Sequence, residues 1–267
     1  MNKLSHAHYE IKEIEALSEG NSVIHRLHPL CKLLMTIFYI IVVVSFPKYD
    51  ISNLVVMVLY PVILFQAANI SVKFCFYRLR FILPFICAVG LANPFLDHTP
   101  FLQLNGIVVT GGMVSMSTLM LKGIFSLMAS FLLIATTSID SICAALRKLH
   151  IPTLLTTLLL LTYRYLSVMV EEVSIMVQAY QLRAPGQKGI HFSAWGSFLG
   201  QLLLRSLDKS EELYNSMILR GFNGNFYYTG LPMWTFRSTL FLAACIIYFL
   251  CARFFNISRL IGSLFMR

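Results

Sequence analysis

The stretch MVSMSTLMLKGIFSLMASFLLIATT, residues 113–137, carries one charge, Lys122, in 25 residues. A helix crossing the hydrocarbon core of a bilayer needs about 20 mainly apolar residues. This stretch exceeds that length, and the reading extends outward in both directions. Residues 30–46 form a first, short span ended by Phe46-Pro47-Lys48. Residues 51–70 form a second, with Pro61 to kink it. Residues 81–92 are the heart of a third, extended backward through 74–79, and 113–137 is the fourth. Residues 231–255 are the last, with Trp234 near the entry, where an indole suits the interface.

Composition agrees. Of 267 residues, 57% are apolar and 12% charged, with a mean hydropathy of +0.73, where a soluble domain has about 45–50% and about 25%. Intrinsic disorder, collagen and a disulfide scaffold are excluded. The formal charge is +9, but Lys and Arg are scattered beside lipid-length apolar runs, which argues against nucleic acid as a partner. The six cysteines show no close-spaced metal pattern and read as membrane-buried thiols. The first 30 residues are polar and acidic (Glu10, Glu13, Glu15, Glu19), without the basic-then-apolar layout of a cleavable signal.

Orientation follows from the short loops. Lys3, Lys12 and Arg26 precede the first span; Lys73, Arg78 and Arg80 follow the second; Arg147 and Lys148 follow the fourth. The 47–50 turn has one Lys and residues 93–112 have none. The positive-inside bias therefore places the N-terminus in the cytoplasm. Five spans leave Arg253, Arg259 and Arg267 outside, unless 151–163 spans or re-enters as a sixth.

Residues 138–230 hold many Arg, Lys, Asp and Glu, yet they are patterned as helices. Ser138 or Asp140 caps a helix running to His150, and Ile151-Pro152 opens the next. That helix turns amphipathic, with Val170, Val173, Val177 and Tyr180 opposite Glu171, Gln178 and Gln181, and Ala184-Pro185-Gly186 stops it. Ser193 caps a further helix reaching Arg220, with Gly221 as the left-handed stop. Gln201, Arg205, Asp208, Glu212 and Asn215 form its polar face; Leu199, Leu202, Leu203, Leu213 and Met217 give apolar contacts. Such helices need a partner surface.

Arg183 and Arg220 each stand in the last turn of one of these helices, as Leu182-Arg183-Ala184-Pro185 and Leu219-Arg220-Gly221. The residues alone allow two readings. A cation complements the helix C-terminal dipole by about 0.3–1 kcal/mol; a protruding guanidinium forks onto a partner's carboxylates.

His25-Arg26-Leu27-His28-Pro29-Leu30-Cys31-Lys32, then Leu161-Thr162-Tyr163-Arg164-Tyr165-Leu166 with Glu171-Glu172, then Met217-Ile218-Leu219-Arg220-Gly221-Phe222 together resemble the CbiQ family. These are the transmembrane T components of energy-coupling-factor transporters, closest to the cobalt-type branch. The resemblance spans roughly residues 22–225. It implies a scaffold driven by two cytoplasmic ATP-binding-cassette ATPase subunits and coupled to a small, CbiM-like substrate-binding membrane component. It also implies that Leu182, Arg183, Ala184 and Leu219, Arg220, Gly221 are the ATPase-docking motifs. The second matches the usual Ala-Arg-Gly form well; the first departs from it, with Ala184 in place of Gly and Pro185 following.

The expected fold is therefore an all-α polytopic membrane protein, with about five transmembrane helices and a cytoplasmic module of long amphipathic coupling helices. Its parts are a cytoplasmic tail (1–29), four spans (30–137), the coupling module (138–230), and the last span with its tail (231–267). The expected location is the plasma membrane of a prokaryote. No Gly-rich loop ending in Lys-Ser or Lys-Thr is present to cradle a nucleotide, no cofactor is implied, and no catalytic constellation is visible. His6, His8, His25 and His28 lie in a polar tail and read as non-ligating, the metal site being implied to lie in the separate substrate-binding component. Lys122 reads as structural, Arg164 as a partner for Glu171 or Glu172, and Asp97 and His98 as loop residues. Nickel or a vitamin is the alternative cargo, and a stand-alone intramembrane enzyme or channel is the alternative class.

Overall fold

The computed structural model describes residues 13, 15–18, 20, 22–96, 100–104, 107–186, 189–224, 226 and 234–254. It divides into two compact units: Ser18–Thr137 with Pro232–Arg267, and Met1–Leu17 with Ser138–Leu231. Among the described residues four helices are long and apolar enough to cross a membrane, Ile51–Ala68, Gly111–Thr136, Thr153–Arg183 and Phe236–Phe254. A bent pair, Val72–Leu79 with Leu83–Leu91, would make a fifth, and Pro29–Ser45 is a shorter apolar helix.

The first unit begins with α1 (Pro29–Ser45), whose Pro29 enters a helix without needing an N–H and whose first turn is capped by the His28 ring. The second span is broken into α2 (Ile51–Val56) and α3 (Leu59–Ala68). Pro61 causes the break, because it has no N–H for the carbonyl four residues back, at Met57. That carbonyl instead accepts from the Tyr39 hydroxyl at 3.0 Å, and the adjacent Val56 carbonyl accepts from Tyr248 at 2.6 Å. Asn69, in the left-handed conformation at φ 56°, stops α3. Tyr39, Tyr60, Leu54, Met57 and Phe249 are buried together at this point, with the Tyr39 and Tyr60 rings 4.5 Å apart.

The third span is not straight. α4 (Val72–Leu79) and α5 (Leu83–Leu91) meet at 66°, and Pro84, which leaves the Arg80 carbonyl without its helical donor, accounts for the break. After the single turn α6 (Asn93–Leu96), the segment read as a plain loop holds a short antiparallel hairpin, β1 (Pro100–Leu104) with β2 (Ile107–Thr110). Asp97 and His98 lie outside the described residues.

α7 (Gly111–Thr136) and α11 (Phe236–Phe254) pack on α1. Near the start of α1, the buried Lys32 ammonium donates to the carbonyls of Thr136 (2.6 Å) and His25 (3.3 Å). At the other end Lys122 donates to the Val44 (3.0 Å) and Phe46 carbonyls, and Arg253 to the Ser45 carbonyl at 3.3 Å. Three successive carbonyls at the end of α1, which no helical N–H can reach, are thus met by two cations. Lys122 lies level with the polar 47–50 turn, which explains how a charge fits within a long apolar helix.

The second unit contains α8 (Ile139–Lys148), α9 (Thr153–Arg183) and α10 (Trp195–Leu219). Ser138 caps α8, its side chain accepting from the Ser141 N–H, and His150, at φ 62°, stands in the left-handed stop beyond it. Pro152 precedes α9, and from Thr153 residues 151–163 are the first part of one 31-residue helix. This helix, expected within the cytoplasmic module, is long and apolar enough to cross a membrane, in line with the alternative that 151–163 opens a further span. The start of α10 differs from the expected Ser193 cap. A 3₁₀ turn, Phe192–Ala194, comes first, and the His191 ring accepts from the Ser193 N–H. At 25 residues, α10 is about 37 Å long if straight.

Candidate functional site

Arg183 is the last residue of α9 and Arg220 the first beyond α10. The end of α10 is fully built. Gly221, at φ 80°, sends its N–H to the Ile218 carbonyl (2.9 Å), and the Phe222 N–H returns to Met217 (3.0 Å). This pair of bonds is the Schellman motif, which needs a left-handed residue just past the helix. A side chain on Gly221 would meet nothing within 4 Å, so only backbone conformation demands glycine there. Gly221→Ala should therefore cost about 1 kcal/mol, and Gly221→Asn less. Faster amide exchange confined to the last turn of α10, with the rest of the helix unchanged, checks this.

The end of α9 is made differently. Ala184 is not left-handed (φ −126°, ψ 69°), its N–H reaches only the Tyr180 carbonyl, and the left-handed residue is Gly186 at φ 93°. Pro185 accounts for the difference: it disfavours helical backbone at Ala184 and supplies no N–H. The departure of this motif from an Arg-Gly form is thus a real change of backbone, displaced by two residues.

Both ends present the same pair of side chains. Leu182 and Leu219 are 84% and 88% exposed, and the arginine that follows each is exposed as well. Among the described residues no side-chain hydrogen bond or ion pair engages either guanidinium. An exposed leucine beside an uncommitted arginine offers an apolar knob and a forked donor on one helix end.

Several residues hold these ends, and sequence spacing pointed to few of them. Arg147 of α8 donates to the Phe226 carbonyl at 2.6 Å, fixing the chain just beyond Arg220, where the Phe222 and Phe226 rings lie 5.1 Å apart. The His191 N–H donates to the Tyr180 hydroxyl at 3.3 Å, tying the end of α9 to the segment that opens α10. Arg205 of α10 meets Glu172 of α9 at 2.7 Å. Arg164 pairs with Asp140 at 3.2 Å, not with Glu171 or Glu172. Glu171 and Glu172 follow Arg164 on its own helix, whereas Asp140 comes from the neighbouring α8. Beside that pair, burial pushes the Cys143 thiol up to about 11, with the Asp140 charge adding to the rise, so it stays protonated at neutral pH.

α10 has no fully buried residue. Leu202 and Leu213 are half-buried with Arg205 and Met217, while Leu199 and Leu203, expected as apolar contacts, are exposed together with Leu204 and Leu207. The histidines take local roles. The His28 ring accepts from the Leu30 N–H at 3.1 Å and lies 4.9 Å from Trp234, and His25 Nδ1 is 2.7 Å from the Ser22 hydroxyl. His6 and His8 lie outside the described residues. No group of three His, Cys, Asp or Glu side chains fit to hold a metal occurs among the described residues.

The sequence profile of the CbiQ cobalt transport proteins matches residues 20–229, a range that includes both arginine ends. This chain belongs to the CbiQ family. It is a multi-pass membrane protein and a membrane component of ion transport. This CbiQ-family chain is 28% identical over 224 residues to the energy-coupling factor transporter transmembrane protein EcfT of Bacillus selenitireducens, covering 77% of the chain and 81% of EcfT. It is 32% identical over 91 residues to the nickel permease LarQ of Lactiplantibacillus plantarum, covering 34% of the chain and 33% of LarQ. That match spans about a third of LarQ's length.

Proposed function

We propose that this CbiQ-family protein is the transmembrane scaffold of an energy-coupling-factor importer of cobalt ions. It transmits ATP hydrolysis by two separate cytoplasmic ATPases to a small CbiM-like substrate-binding membrane component. The observation that carries the reading is the pair of helix ends at which an exposed leucine precedes an arginine with no side-chain partner among the described residues. Arg183 and Arg220, with Leu182, Ala184, Leu219 and Gly221, dock one ATPase each, and the outward leucines of α10 suit a second apolar partner. ATP hydrolysis belongs to the partner chains. Purification in mild detergent tests this: two ATPases and a small membrane protein should co-purify. A solitary protein that transports or turns over substrate by itself overturns the reading.

A second cargo is favoured by one observation, the similarity to a nickel permease. Uptake of radioactive cobalt against nickel by cells expressing the full complex decides between them, and nickel preference would transfer the proposal to that ion.

The docking reading requires residues 138–230 in the cytoplasm of a prokaryotic cell, with the N-terminus on the same side and residues 93–112 outside. Single cysteines at Thr99 and Lys188, both outside the described residues, report this in a cysteine-free background. A membrane-impermeant reagent applied to intact cells should label position 99 and not 188. The opposite pattern overturns the orientation and the docking together.

A further inference from the structure

A cleft opens where α1 and α11 begin. It has a volume of about 530 Å³ and is lined by Val23, Arg26, Leu27, Thr235, Arg237 and Ser238. Arg26 and Arg237 are both exposed, and among the described residues neither has an ion pair or side-chain hydrogen bond. Ser238 is buried at the base, its hydroxyl accepting from the His28 N–H at 3.4 Å. Two guanidiniums on one cleft, with no carboxylate among its described lining residues, form a site for an anion.

The surroundings specify what carries the anion. Trp234 immediately precedes the cleft's Thr235, its indole N–H donating to the Thr239 hydroxyl at 2.8 Å and its ring against His28, a residue type typical of the membrane–water boundary. Leading away along α11, Phe236, Leu240 and Ile247 are exposed, and their helical spacing puts them on one face. An arginine-lined cleft continuous with an outward apolar track matches an amphiphile: phosphate at the arginines, acyl chains along the helix. A free phosphate would use the first half only.

We propose that Arg26 and Arg237 bind the phosphate headgroup of an anionic phospholipid at the head of α11. This site is separate from the ATPase-docking residues, and its test needs neither ATPase nor transport. Each arginine near an anionic lipid surface contributes enough that losing both should lower retention about 30-fold. The measurement is native mass spectrometry of the detergent-purified full chain after incubation with phosphatidylglycerol or phosphatidylcholine, with and without millimolar inorganic phosphate. The wild type should retain phosphatidylglycerol over phosphatidylcholine, resist displacement by phosphate, and lose the preference in the Arg26→Gln, Arg237→Gln variant. Lys209→Gln, which removes an exposed charge elsewhere, should keep it. Because both arginines are exposed, the double variant should fold, and an unchanged melting temperature verifies this. If it does not fold, single variants that each lower phosphatidylglycerol retention sustain the proposal, and single variants with wild-type retention overturn it. Equal retention of the two lipids, wild-type retention by the double variant, displacement by inorganic phosphate, or equal loss in Lys209→Gln each overturns it.

Discussion

Arg220→Ala will release ATPase from the tagged, membrane-inserted protein, and Arg220→Lys will not restore it. Removing one partner of a buried charged contact costs about 2–5 kcal/mol, roughly 30- to several-thousand-fold in affinity. Lysine has one charge but no planar fork, so it fails wherever two parallel hydrogen bonds are made. Were Arg220 only a complement to the helix dipole, the loss would be about 0.3–1 kcal/mol and lysine would suffice. The Schellman end holds Arg220 by backbone bonds made at Gly221 and Phe222, so truncating the arginine side chain leaves the helix end intact. Arg183→Ala should leave a complex missing part of its ATPase, and the double variant should lose both contacts. ATPase retained on the purified protein is the measurement. Full retention and full transport by the double variant would return both arginines to ordinary helix ends.

Tyr39→Phe should cost about 1–3 kcal/mol of stability, because it strands the Met57 carbonyl inside an apolar core where no water replaces the hydroxyl. The size of the loss depends on Pro61. In a Pro61→Ala background residue 61 regains an N–H, the Met57 carbonyl regains its helical donor, and Tyr39→Phe should cost less. Thermal unfolding of the two single variants and the double variant in detergent yields the coupling. Additive losses would show that the tyrosine does not compensate for the proline.

Most of the apolar segments were legible in the sequence, because a bilayer demands a length of apolar chain and little else. The exceptions are Pro29–Ser45, read as a span but shorter than one, and Thr153–Arg183, read as part of the cytoplasmic module but long and apolar enough to cross a membrane. Proline breaks were legible in part. Pro61 was expected to kink its span, but the 66° turn at Pro84, between Val72–Leu79 and Leu83–Leu91, was not anticipated. The hairpin over 100–110 was hidden in a stretch read by its lack of charge. Local stops followed composition closely at Gly221, where one residue type suits the backbone, and less well at Ala184, where a following proline moved the stop to Gly186. Ser193 does not cap α10, because a 3₁₀ turn capped by the His191 ring comes first and α10 follows it at Trp195 without a side-chain cap.

The partners of Arg164, Arg205, Lys122 and Arg147 were decided by tertiary structure. Spacing along one helix suggested Arg164 with Glu171 or Glu172, but the folded chain pairs it with Asp140 and pairs Glu172 with Arg205. In the same way Lys122 reaches carbonyls at the end of α1, 76 and 78 positions away, and Arg147 reaches the Phe226 carbonyl, 79 away. Hydropathy, helical period and the positions of proline and glycine act over a few residues, so a single sequence displays them. Which cation answers which distant carbonyl depends on helix packing, a sum of many weak contacts that no local pattern encodes. The sequence by itself therefore determined a polytopic membrane protein with two arginines at helix ends. Only the folded chain decided that those arginines have no side-chain partner among the described residues, while Lys32, Lys122 and Arg253 bind backbone carbonyls.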